Sequence, residues 1–189
     1  MDPLDALALA TSEMQRRLDA VAGDQWTADT PCDGWDVTDI VRHVVGGNRM
    51  AVALLGGCTR DDAMALLAGV DLGDDPVAAF RDAAGAQLAA FAEPGAFERL
   101  CHHPMGDMPG EQIIGFRTGD LTMHGWDIAR ATGADEAIPL ALVEVVWESL
   151  QPVAPFIGQI GLFGGGPSGD VGEDAPLQDR MLDLAGRTI

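Results

Sequence analysis

Apolar positions along the chain recur mainly at three- and four-residue intervals, the spacing that stacks side chains on one face of an α-helix. Leu4, Leu7, Ala8, Met14, Leu18 and Val21 trace such a face over residues 3–22, and Gly23 follows as a stop. A loop rich in turn formers runs from Thr27 to Gly34, with Pro31 near its middle. Asp36 then stands as N-cap of a second helix, and Trp35 before it can pack on Ile40 as a hydrophobic staple. Ile40, His43, Val44, Gly47, Met50, Ala51 and Leu54 share one stripe of that helix as far as Gly56-Gly57.

A short helical pattern covers residues 60–70, and a fuller one after Pro76 carries Val77, Phe80, Ala84, Leu88 and Phe91. Ala96 to Gly110 holds two prolines and two glycines without a sustained period, so a loop with at most a short extended stretch is expected. A long helix follows from about Gly110 to Thr132, closed by Gly133. Another starts after Pro139 and runs through Leu142, Val145, Val146, Ser149 and Leu150 to about Val153. The tail from Phe156 is glycine-rich and is expected to wrap the body, with Leu177, Met181 and Leu184 re-entering it. No internal repeat and no run of alternating strands emerges. Four main helices with connections of varied length predict an all-α helix bundle, one domain over residues 1–189.

Charge narrows the partners. Thirty acidic residues face eleven basic ones, all arginine, for a formal charge of −19. Such a surface repels phosphate backbones and anionic membranes, which excludes nucleic-acid binding as a main role. No stretch approaches the ~20 apolar residues of a membrane span, and the acidic Met1–Asp5 start lacks the basic opening of a secretory signal. Cys32, Cys58 and Cys101 are too few and too far apart for a disulfide framework. A reducing, cytoplasmic setting is the expectation.

Candidate chemistry lies on two helix faces. Asp120 and His124 are four residues apart, so their side chains share one face about 6 Å apart along the axis. Ile113, Phe116, Ile128 and Ala131 are their apolar neighbours, which directs carboxylate and imidazole inward. His43 sits likewise between Ile40 and Gly47. Inward polar groups need mutual satisfaction. Two readings supply it: a hydrogen-bonded aspartate–histidine network, or a divalent metal held by two histidines and a carboxylate, the pattern of open zinc and non-haem iron sites. Gly46 and Gly47 would let a ligand or another helix come close.

Other residues are second-tier. Asp127 can orient His124 or a metal-bound water, or pair with an arginine such as Arg130 or Arg117. Asn48 is a candidate for facing a substrate, and Arg49 for the surface. Adjacent residues converge poorly on one ion, so Cys101-His102-His103 reads as an exposed loop. Cys32 reads as a small buried residue, and Trp26, Trp35, Trp126 and Trp147 as core or capping residues. Gly164-Gly165-Gly166 lacks the Lys-Ser/Thr of a phosphate-binding loop.

The stretches TPCDGWDV (30–37) and IVRHVVGGN (40–48) resemble the signature of the mycothiol-dependent maleylpyruvate isomerase N-terminal-like family, within the DinB-like group of metal-binding four-helix bundles. DLTMHGWDIARATG (120–133) resembles its second signature, and PLQDRMLDLAGR (176–187) its closing motif. The resemblance implies a DinB-like four-helix bundle whose three metal ligands fall on His43, Asp120 and His124. In the isomerase the middle ligand is a glutamate, one methylene longer than Asp120. The isomerase also has an additional C-terminal domain that contributes to its active site, and this chain is expected to lack one.

The function so implied is a metal-dependent enzyme using a low-molecular-weight thiol, mycothiol by resemblance, in transferase or isomerase chemistry on a small molecule. The metal would be zinc first, with nickel, iron and cobalt also suited to the donor set. The alternative is a non-catalytic metal-containing binding or stress-response protein. A homodimer is compatible with either.

Overall fold

The computed structural model describes residues 1–159, 163 and 165–189. Seven α-helices are present among them: α1 (Pro3–Asp19), α2 (Val37–Leu55), α3 (Arg60–Ala68), α4 (Pro76–Phe91), α5 (Gly110–Thr132), α6 (Leu140–Leu150) and α7 (Leu177–Leu184). A 3-10 turn spans Ala154–Gln159. The fold is mostly helical, as the periodicity predicts. The short extended stretch allowed for within the expected loop is one antiparallel hairpin, β1 (Leu100–His103) with β2 (Gly106–Pro109), pairing Cys101 with Met108. The glycine run falls partly outside the described residues, at Gly164.

The helix ends follow local chemistry. Asp36 accepts from the backbone N–H of Asp39 at 2.8 Å while Asp39 reaches back to the Asp36 N–H, a reciprocal cap that fixes where α2 begins. Asp2 and Asp75 cap α1 and α4, each ahead of a proline in the first turn. Gly133, at φ 68°, ends α5 in the left-handed conformation that glycine adopts without steric cost.

Packing then places the faces. α1 lies against α5 and α4, α2 against α4, α5 and α3, and α6 against α7 and α5. Val37, Ile40, Val41, Val44 and Leu54 of α2 are fully buried, as are Leu121, Trp126 and Ile128 of α5. Each such aliphatic or aromatic side chain contributes roughly 1.5–3 kcal/mol by leaving water. Phe116 departs from the expected inward face and is exposed, beside His103 of the hairpin. The C-terminal segment does re-enter the body: Met181, Leu182 and Ala185 are buried. No helix among the described residues is long and apolar enough to cross a membrane.

Candidate functional site

The α2–α5 seam brings His43, Asp120 and His124 together. Their candidate donor atoms lie within 4.8 Å of one another. His43 Nε2 is 3.1 Å and His124 Nε2 3.5 Å from the same carboxylate oxygen, Oδ1 of Asp120. His43 is partly open, its side chain 35% exposed, whereas that of His124 is 10% exposed. The group therefore opens on the His43 side.

The other oxygen of Asp120 is engaged by an arginine that sequence reading assigned elsewhere. Arg117, one turn earlier on α5, donates from Nη1 to Asp120 Oδ2 at 2.7 Å. Its Nη2 donates to the Val44 carbonyl and Asn48 Oδ1, and its Nε to Gln87 Oε1. The glycine at 47 has its reason here, because a Cβ at that position would collide with the Arg117 guanidinium. Gly46 instead accommodates Val70 and Leu67. Asn48, a candidate for facing a substrate, is fully buried and accepts from Arg117. Arg49 donates to the Asp71 carbonyl.

Behind His124 lies a second convergence. Its Nδ1 is 2.9 Å from Oδ2 of the fully buried Asp127. Arg187 clamps both oxygens of that carboxylate, Nε to Oδ1 at 3.2 Å and Nη2 to Oδ2 at 2.8 Å. The Cys32 thiol donates to Oδ2 at 3.3 Å. Asp127 thus both orients His124 and pairs with an arginine, but the arginine is Arg187, neither Arg130 nor Arg117. Arg130 stacks on Trp126 and pairs with Glu136.

Charge follows this geometry. Burial pushes the Asp120 carboxyl up, but Arg117, His43 and His124 together outweigh it and hold the group well below the ordinary carboxylate range. Burial likewise opposes charge on His124. The Asp120 charge and hydrogen bonds to Asp120, Asp127 and Cys32 win, raising the imidazole well above its usual value. Asp127, despite burial, is lowered to about 2 by His124 and Arg187. Two anions and the imidazole between them therefore form a strongly polarised row.

Trp35, expected only to cap, lines the group: its ring is 5.0 Å from His43 and stacks on His124 at 5.9 Å. Cys101 and His103 lie buried in β1 and only His102 is exposed, which corrects the expected exposed loop. His103 Nδ1 accepts from the Met105 backbone N–H, and His102 pairs with Asp107. These residues make up neither group of convergent donors found among the described residues.

Comparison with known proteins gives the family and the fold. Residues 7–129 match the family described as the mycothiol maleylpyruvate isomerase N-terminal domain. Two uncharacterized proteins of Mycobacterium tuberculosis, from strains CDC 1551 / Oshkosh and ATCC 25618 / H37Rv, are each 32% identical over 196 residues, covering all of both chains. The crystal structure of the mycothiol-dependent maleylpyruvate isomerase superposes with a TM-score of 0.62 at 14% identity, over 79% of this chain and 68% of that one. A histidine-to-alanine mutant of that enzyme gives 0.61 at 16% over the same shares. The fold is shared.

Proposed function

Because the chain belongs to the mycothiol maleylpyruvate isomerase N-terminal domain family, we propose that it is a divalent-metal protein that uses a low-molecular-weight thiol on a small molecule. His43, Asp120 and His124 would hold the metal, zinc first among those suited to this donor set. The observation that carries the reading is the pointing of both Nε2 atoms at one oxygen of Asp120. Arg117 spends the other oxygen, so the donor set offers two imidazole nitrogens and one carboxylate oxygen on a single side.

The donor chemistry fits. The neighbouring charges favour an ionised Asp120. Metal binding needs deprotonated imidazole nitrogens, so loading competes with protons and strengthens as pH rises. Such a metal, when bound, lowers the pKa of a coordinated thiol or water and so favours a nucleophile at neutral pH. The chain's own part is orientation: Arg117 fixes Asp120, and Trp35 gives the mouth an apolar wall beside His43. Membership of the family supports mycothiol as the thiol, with isomerase or transferase chemistry as the proposed reaction.

Metal quantification on protein purified without an affinity tag tests the core of this. Wild type is expected to hold one equivalent, and His43→Ala and His124→Ala to lose most of it. Undiminished metal in both variants would sink the assignment. Turnover of small electrophiles that requires both metal and thiol is expected of the wild type; metal binding without it would favour a non-catalytic role.

A further inference from the structure

The C-terminal segment reaches the proposed metal group from behind, through one side chain. Arg187 lies three residues beyond α7 and sixty beyond Asp127. Gly186, at φ 77°, turns the chain in the left-handed conformation, with its N–H on the Asp183 carbonyl and that of Arg187 on Leu182. Arg187 Nη1 donates to the Ala185 carbonyl at 2.8 Å, which leaves Nε and Nη2 aimed at Asp127. The guanidinium is therefore pre-set by its own backbone, and the buried Met181, Leu182 and Ala185 fix that backbone to the body.

Cys32, His124 and Asp127 also bring donor atoms within 4.8 Å of one another. A second cation is nevertheless disfavoured there. Arg187 Nη2 already lies 2.8 Å from Asp127 Oδ2 and 3.9 Å from Cys32 Sγ, putting a permanent positive charge on that side. With both Asp127 oxygens engaged by Arg187, the carboxylate still accepts from the Cys32 thiol and from Nδ1 of His124.

We propose that Arg187 is a positioning residue for the metal group: it fixes Asp127, which holds His124 with Nδ1 toward Asp127 and Nε2 toward Asp120 and His43. The inference rests on the proposed metal reading. Its consequence is reciprocal coupling, in which docking of α7 strengthens metal binding and metal binding strengthens docking of α7.

The test uses the chain of residues 1–189, metal-free and untagged, titrated with Co²⁺ and followed by its visible absorption. Arg187→Ala is expected to bind about 10–100-fold more weakly, the usual cost of losing such outer support, and with an altered cobalt spectrum. Arg187→Lys should recover part of the affinity. Amide exchange in residues 177–184 should slow on adding Zn²⁺ in wild type and not in Arg187→Ala. If Arg187→Ala fails to fold, Arg187→Lys and Asp127→Asn carry the same comparison. Variants that match wild type in affinity and spectrum overturn this inference alone. A wild type that binds neither ion overturns the metal reading and this inference together.

Discussion

Two clusters share His124, and they differ in how an arginine treats the carboxylate. Arg117 touches one oxygen of Asp120 and leaves the other to the histidines. Arg187 takes both oxygens of Asp127. Each cluster contains three potential ligands within 4.8 Å, so donor count does not separate them. The number of oxygens left uncommitted by the neighbouring guanidinium does. Under the proposed metal reading, the first cluster keeps a carboxylate oxygen for a cation, whereas Arg187 engages both carboxylate oxygens of the second.

The largest expected effect breaks the closed cluster. Asp127→Ala leaves the Arg187 guanidinium and the His124 ring without their buried partner, and should cost roughly 3–5 kcal/mol in urea unfolding. Asp120→Asn, in the open cluster, keeps shape and the Arg117 contacts to Val44, Asn48 and Gln87, so about 1–3 kcal/mol is expected. Metal analysis should nevertheless show its metal content collapse. A greater stability loss at Asp120 than at Asp127 would reverse the assignment of open and closed.

A subtler test separates the guanidinium from the carboxylate. Gly47→Ala drives a methyl into Arg117 and should destabilise by about 1–3 kcal/mol despite alanine's better helix propensity. Gly85→Ala, in an exposed helix position with nothing near the added methyl, should stabilise by about 0.5–1 kcal/mol in the same assay. The smallest effect concerns a histidine outside both clusters. Burial, then Arg117 and Arg60, lower the His103 pKa, so the fold favours its neutral ring. The associated stability is present above the unfolded value of about 6.5 and lost as pH falls through the lowered folded value. His103→Gln should flatten the stability–pH curve below about pH 6.5.

Local signals carried most of the fold. Asp36 with Asp39, Pro76, and the Gly133 stop mark helix ends through contacts within four residues, which a linear pattern can express. The hairpin escaped because each strand has only four residues, and its one inward pair, Cys101 and His103, is too short an alternation to stand out. Phe116 sat on the right face by spacing, yet it stays exposed with His103 of the hairpin beside it. Within the site, i, i+4 geometry on α5 and the α2 stripe pointed to His43, Asp120 and His124. Arg117 left a usable signal at i−3 from Asp120, and the glycine at 47 was the imprint of its side chain. Arg187 left no spacing signal, since a contact spanning sixty residues obeys no spacing rule, and its only trace was as the last residue of the closing motif at 176–187. Trp35 was masked by its equally good fit to a capping role.

The contact between Gly47 and the Arg117 guanidinium also constrains how related sequences can drift. Positions 47 and 117 amount to one choice written twice, because a side chain at the first leaves no volume for the long cation at the second. A relative that gains bulk at 47 is expected to shorten 117 in step, freeing the second oxygen of Asp120. Under the proposed metal reading, co-variation of this pair would therefore mark lineages in which the carboxylate has changed from a single-oxygen donor to a two-oxygen one.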